Sequence, residues 1–531
     1  VVANPSAIAD KEEVAQRLAP VIGVPQSEIL GKLSGDTKFA YVARRLDDSL
    51  RPEIERLNLE GITVVEETRR FYPSGTLASS VLGYVGTDNQ GLDGLEIGIE
   101  KLVAGEPGTF EVEQDPRGRP IPQAEYLFIP PVPGSDVMLT IDSEIQYKAE
   151  QLLAQAVETY KAKGGSILVM EVGTGEILAM ANSPTFDPNE FWKASAESRR
   201  NRLVADVFEP GSTNKVVTAA AALEENKVSL EERIGVPNRY AVADAVFKDA
   251  EDHPPLSWTV RDIVVHSSNI GTIKIAQRLG PEKLDQYMRA FGYGQPTGLP
   301  LPGEAPGILL PPEKWWATSI GTVPIGQGIA VTGVQLAQVY ATIANGGVRV
   351  PPKLVKGVVR DHSSVRIEEP EPDKSRAPRR VISSATASVL AEILAGVVAE
   401  GTGKRAAVPG YQVAGKTGTA RKPSETGGYL DKYVASFVGF APVTEPRFVV
   451  AVILDEPTPY YGGLSAAPVF SQMMGFVLSY ENVPPKGDQK AFAKGSPSNS
   501  LQDSVVAGTG NGGSKAASTQ KGRTAQGSGR T

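Results

Sequence analysis

Ser212 and Lys215 stand three residues apart in Phe208-Glu209-Pro210-Gly211-Ser212-Thr213-Asn214-Lys215, which runs straight into Val-Val-Thr and a line of alanines. A Gly-Ser step ahead of alanines predicts a helix start, because Ser favours the N-terminal cap region and Ala is the best helix former. Residues three apart share a helix face, so the amine can reach the hydroxyl. That is the make-up of an activated nucleophile: a serine with a base one turn away, at the positive end of a helix dipole. The spacing alone decides nothing, since Ser518 and Lys521 repeat it in a tail rich in Gly, Ser and Lys.

Two further clusters carry polar groups suited to the same chemistry. His266-Ser267-Ser268-Asn269 lies between two amphipathic stretches, and Gly415-Lys416-Thr417-Gly418-Thr419-Ala420 lies inside a strand pattern. Each has an ordinary structural reading. Ser-x-Asn is common cap or turn chemistry. Lys-Thr-Gly could be a solvated edge strand with a bulge at the glycine. Gly401-Thr402-Gly403-Lys404 lacks the upstream glycine of a phosphate loop and has Arg405 where Ser or Thr is required, so it reads as a plain loop.

Composition narrows the chemistry. The 531-residue chain has no cysteine, which excludes disulfides, thiolate metal sites and cysteine nucleophiles. Three histidines, His253, His266 and His362, make a multi-histidine metal site an unlikely design, and no metal or other cofactor is expected. A net charge of −7 argues against a nucleic-acid partner, which would need a concentrated basic surface. The chain starts at Val1 without an initiator Met, and its longest clean apolar run, Phe448 to Leu454, is strand-length.

The elements that must position these residues divide at the proline-rich stretch Ile129-Pro-Pro-Val-Pro-Gly134. Residues 1–135 read as loops and short strands with a helix over Asp10–Leu18, a strand at Ile62–Val65 and a turn at Gln114–Pro120. Residues 136–485 open with a strand, Val137–Ile141, and a long amphipathic helix, Ser143–Tyr160. Gly165–Val172 and Glu176–Ala181 form a hairpin around Gly173-Thr174-Gly175. A helix-rich middle follows, and then strands Val413–Ala420, Tyr433–Phe440 and Phe448–Leu454. Strands at both ends with helices between predict an α+β domain around an antiparallel sheet. Trp315-Trp316 reads as core or groove wall. Residues 486–531 have little to bury and are expected to be a disordered tail.

The order Ser-x-x-Lys, Ser-x-Asn, Lys-Thr-Gly is that of serine β-lactamases and penicillin-binding proteins. The flanks Phe208-Glu-Pro-Gly-Ser212, Gly326-Gln-Gly328, Val331-Thr-Gly-Val-Gln335, Ala344-Asn-Gly-Gly347 and Ala435-Ser-Phe-Val-Gly-Phe-Ala-Pro442 resemble penicillin-binding transpeptidases. Arg70-Phe-Tyr-Pro73 and Gly94-Leu-Glu96 resemble the non-catalytic pedestal of the class B, high-molecular-weight branch.

The resemblance implies a transpeptidase domain, with its antiparallel sheet flanked by helices, behind an elongated, mainly β pedestal. It implies a peptidoglycan D,D-transpeptidase, of division type by its Phe-Glu-Pro-Gly-Ser-Thr form. Ser212 would attack the D-alanyl-D-alanine stem peptide and Lys215 would take its proton; burial or a neighbouring cation, for which Lys416 is a candidate, would lower the Lys215 pKa. Ser267 would relay a proton to the leaving amine, and Asn269 would donate to a substrate carbonyl. Thr417 and Thr419 would grip the terminal carboxylate, and Gly418 would let substrate lie along the strand. The Ser212 and Thr419 backbone N–H groups would form the oxyanion hole. Implied partners are peptidoglycan stem peptides, β-lactam antibiotics, a membrane-embedded glycan polymerase and division proteins. The implied location is the extracytoplasmic face of the cell membrane, held by a single N-terminal anchor outside this chain. A β-lactamase or carboxypeptidase, and an idle scaffold that only binds β-lactams, are the competing readings.

Overall fold

The structure is a computed structural model that describes residues 1–113, 121, 126–359, 377–424 and 426–485. The expected turn at 114–120 and the tail 486–531, with Ser518 and Lys521, lie outside the described residues. The chain forms two compact units. One comprises residues 1–138 and 187–193 with the described part of 357–368, and the other holds the remainder from Leu139.

In the first unit, Asp10 caps helix α1 (Lys11–Ile22) by accepting from Glu13 N, and Gly23 ends it at φ +67°. Val14, Leu18 and Ile22 of α1 pack with Ile29 and Leu33 of α2 (Gln26–Leu33) on Ile8, Val42 and Ile54. Strands here are short: Val2–Ala3 lies between Ala40–Tyr41 and Ile62–Thr63 in a three-stranded sheet. The mainly β expectation for this segment is therefore corrected. Its apolar residues recur at helical spacing in α1 and α2, and those helices supply half of the buried core. The two pedestal segments meet. Arg70 clasps the Glu96 carboxylate at 3.0 and 3.2 Å, and Tyr72 donates to it at 3.1 Å. Residues 187–193, placed by the sequence within 136–485, fold with this unit. Asn189 pairs with the Tyr72 backbone at 3.0 and 2.9 Å, satisfying both of its main-chain groups.

The second unit is built on a five-stranded antiparallel sheet among the described residues. Helix α3 (Ser143–Thr159), capped by Asp142, precedes the hairpin of β1 (Gly164–Glu171) and β2 (Ile177–Ser183). Helices α4 (Lys215–Glu224), α5 (Val260–Val265), α6 (Asn269–Leu279), α7 (Gly333–Ala344) and α8 (Ser384–Ala399) follow. Strands β3 (Ala414–Pro423), β4 (Tyr429–Ala441) and β5 (Phe448–Asp455) and helix α9 (Ala466–Tyr480) complete it.

The strand order is β2-β1-β5-β4-β3, so the last strands of the chain pair with the first, and β3 is left at an edge. Ile167 to Met170 and Val449 to Val452 are buried without interruption, because helices cover both faces. Ile167, Val169, Phe437, Val450 and Val452 share a core with α3 and α9, whereas α7 packs against β1, β4 and β5. Trp316 is 82% exposed, so the core reading fails for it.

Phe437 has no exposed surface and its ring lies 4.6 Å from that of Phe470. Phe437→Ala should cost about 3–5 kcal/mol. Chemical denaturation of the second unit measures this, and a loss below about 1 kcal/mol would contradict the packing described.

Candidate active site

The segment carrying Ser212 is one 3-10 turn, Gly211–Asn214, that feeds directly into α4, with Lys215 as the first α-helical residue. Gly211 has φ +54°, a left-handed conformation that an L side chain rarely adopts, and a Cβ there would lie 3.2 Å from Thr419 O. The turn is held from three sides. Gly211 N donates to Gly326 O at 3.0 Å, Asn214 Nδ2 to Val323 O at 2.9 Å, and Tyr340 of α7 donates to Thr213 O at 3.0 Å. The Ser212 hydroxyl makes no hydrogen bond among the described residues and is half-buried.

Lys215 is 1% exposed and does not turn to Ser212. Its Nζ donates to Ser267 O at 2.5 Å and to Asn269 Oδ1 at 2.6 Å, and it lies 3.2 Å from Ser267 Oγ. The expected serine–lysine contact is thus not formed, because the second motif takes up the amine. Two of those partners can only accept. A neutral amine would meet them with its two N–H groups and keep its lone pair for a hydroxyl proton.

Ser267 and Ser268 form the turn between α5 and α6, and Asn269 is the first residue of α6. A Thr259–Asp262 capping box starts α5, and Ser268 caps α6 by accepting from Gly271 N at 2.9 Å. Ser267 is held at φ +60°, uncommon for a residue with a side chain, and this points its carbonyl at Lys215. Asn269 Nδ2 donates to Lys248 O at 2.9 Å, which leaves Oδ1 to the lysine.

Lys416 to Thr419 lie on β3, whose outer edge faces the nucleophile turn. A Cβ on Gly418 would fall 2.3 Å from Ser436 Oγ and 3.1 Å from Pro210 O, so only glycine lets strand and turn approach this closely. The solvated-edge reading fails: Lys416 is 0% exposed and Thr417 is 7% exposed. The bulge in this strand pair falls between Arg421 and Pro423, away from Gly418. Thr417 Oγ1 shares a hydrogen with Thr402 Oγ1 at 2.8 Å. Lys416 Nζ stands 3.4 and 3.5 Å from those two oxygens. Thr419 Oγ1 accepts from Gly462 N at 3.0 Å, and its own hydrogen makes no bond among the described residues.

Burial pushes the Lys215 ammonium down to about 7, against the opposing pull of the Asp249 carboxylate. Lys416 is held well below the ordinary lysine value, first by burial and then by the positive charge of Lys215. Of the two causes expected to lower Lys215, burial is the one this site displays.

His266 takes no part in this network. Its ring lies 5.2 Å from that of Trp258. The histidine linked to the site is His253, through Asp249. Sequence reasoning missed Asp249, Thr402 and Tyr340. Asp249 sits in an acidic loop beside Glu251 and Asp252, and nothing in its spacing sets it apart. Thr402 belongs to the segment read as a plain loop.

Residues 165–475 match the model of the penicillin binding protein transpeptidase domain, and residues 1–139 match that of the penicillin-binding protein dimerisation domain. The chain is 37% identical to penicillin-binding protein PbpB of Mycolicibacterium smegmatis over 89% of its length and 74% of that protein's. It is 34% identical to peptidoglycan D,D-transpeptidase FtsI of Escherichia coli over 90% and 79% of the two chains. The apo crystal structure of penicillin binding protein 3 from Mycobacterium tuberculosis superposes with a TM-score of 0.71 at 38% identity, covering 79% of this chain and 92% of that one. That protein has also been solved in complex with aztreonam and with ampicillin. The three motifs, the buried amines they surround and the matches over both units together identify the chain as a member of the penicillin-binding protein transpeptidase family, in its class B, high-molecular-weight branch.

Proposed function

We propose that this peptidoglycan D,D-transpeptidase works through an ester on Ser212. The observation that carries the reading is a buried Lys215, brought down to about 7, one helical turn after an unengaged serine hydroxyl on a turn that faces the edge strand β3. About half of such a lysine is neutral at neutral pH, where an exposed lysine would be almost wholly charged. Ser212 Oγ adds to the carbonyl carbon of the penultimate D-alanine while its proton passes to Lys215. The oxyanion is met by the Ser212 and Thr419 N–H groups. The C–N bond breaks, and Ser267 relays the proton from Lys215 to the departing D-alanine amine. An amine from a neighbouring stem peptide then attacks the ester, and the proton steps run in reverse.

Substrate lies along β3 as an added strand, supported by its edge position. Thr417 and Thr419 receive the terminal carboxylate, with Lys416 behind them. Asn269 directs its remaining amide hydrogen to a substrate carbonyl. A β-lactam enters as a mimic of the same peptide and remains as an ester.

The biological setting we propose is cross-linking of septal wall outside the cell membrane, alongside a membrane-embedded glycan polymerase and division proteins. An N-terminal membrane anchor would hold the enzyme there. Among the described residues no helix is long and apolar enough to cross a membrane.

Incubation with a labelled penicillin should give a long-lived adduct of one acyl group, seen by intact mass, that Ser212→Ala abolishes. Rapid turnover of the drug would replace transpeptidase with β-lactamase, and absence of an adduct would overturn the enzyme reading. The acylation rate should also rise as pH passes upward through about 7, because Lys215 is a base only after losing its proton. A rate that stays flat across that value would remove Lys215 from the role.

A further inference from the structure

We infer that Asp249 is a positioning residue for this reaction: its carboxylate pins the Ser267–Asn269 turn to the start of α6 and so fixes the acceptors that hold Lys215. The inference rests on the reading of Lys215 as the base.

Three donors and a histidine ring nitrogen converge on this one side chain, which is 8% exposed. Oδ1 accepts from Asn269 N at 2.6 Å and from Ile270 N at 2.9 Å. Oδ2 accepts from Ser268 Oγ at 2.7 Å and faces His253 Nε2 at 3.1 Å. An anion at the first N–H groups of α6 completes the cap that Ser268 begins and meets the positive end of the helix. The preceding residue holds the other end of Asn269, since Lys248 O takes its amide hydrogen at 2.9 Å. Asn269 is therefore clamped by both backbone and side chain, and its Oδ1 is left 2.6 Å from Lys215 Nζ. Ser267, strained at φ +60°, lies on the same clamped turn and supplies the lysine's other two contacts.

The neighbours make Asp249 an electrostatic device as well as a mechanical one. The charged group bearing on Lys215 is the Asp249 carboxylate, which favours its protonated form, while Lys215 in turn holds the Lys416 amine below its ordinary value. His253 lies against the far oxygen of Asp249, and its other ring nitrogen is 2.7 Å from Pro254 O. Removing the Asp249 charge while keeping its shape should thus loosen the turn and let Lys215 give up its proton at lower pH.

The test compares penicillin acylation of Ser212 across pH in the wild type, Asp249→Asn and Ser268→Ala. The wild type must acylate for the comparison to be read, which separates this inference from the reading beneath it. Asp249→Asn should slow acylation by about 10²-fold, the scale of a mispositioned catalytic group. Its acid limb should move to lower pH, a shift that a purely structural role would not produce. Ser268→Ala removes one donor and leaves the charge, so it should slow acylation with the acid limb unmoved. If Asp249→Asn does not fold, Ser268→Ala decides the mechanical part by its rate. Acylation by either variant at the wild-type rate, or a slowed Asp249→Asn with an unmoved limb, overturns the proposal.

Discussion

Two lysine amines buried in one site cannot both keep their protons cheaply, and the second unit is organised around that conflict. Lys215 and Lys416 are almost wholly excluded from solvent. Desolvation disfavours the charged form of each, and at Lys416 the positive charge of Lys215 adds to it. Asp249 is the carboxylate that opposes the loss of the Lys215 proton. The balance leaves Lys215 poised near neutrality, where a base is most useful to a serine that has no histidine partner.

The fold keeps this balance by delivering the groups on separate elements that cannot drift apart. Lys215 begins α4, its acceptors lie on the turn before α6 and on that helix's first residue, and Lys416 lies on β3. Helix α4 packs against α6 and α8, and α8 packs on β3, so the helices join the two lysines through the core. Close approach of the nucleophile turn to β3 depends on Gly211 and Gly418, where any side chain would force the two apart. The sheet order places β3 at an edge and so leaves one row of backbone groups for a substrate strand.

Much of this was legible in the sequence, for identifiable reasons. Strands β1, β2, β4 and β5 were legible as bounded apolar runs and β3 as the strand pattern around Lys416-Thr417-Gly418. Ser212, Lys215, Ser267, Asn269 and Lys416 were singled out because three spaced motifs resemble those of one family. What the sequence did not display were relations that depend on tertiary contact. Lys215 turns to Ser267 and Asn269 rather than to Ser212, since its first helical turn faces α6. Asp249 looked like one more acid in an acidic loop, and only folding brings four polar partners to it. Thr402 looked like loop chemistry until β3 lay beside it. In the first unit, short apolar runs between turn residues suggested strands, whereas helical spacing in α1 and α2 decided the outcome.

The central claim, that burial makes Lys215 a base near neutral pH, is tested most directly by NMR titration of the protein carrying lysine labelled with 13C at the ε-carbon. The Lys215 signal, assigned by its loss in a Lys215→Arg variant, should titrate at about 7. A Lys215 signal that stays in the ammonium form up to the ordinary lysine range, near pH 10.4, would contradict the account.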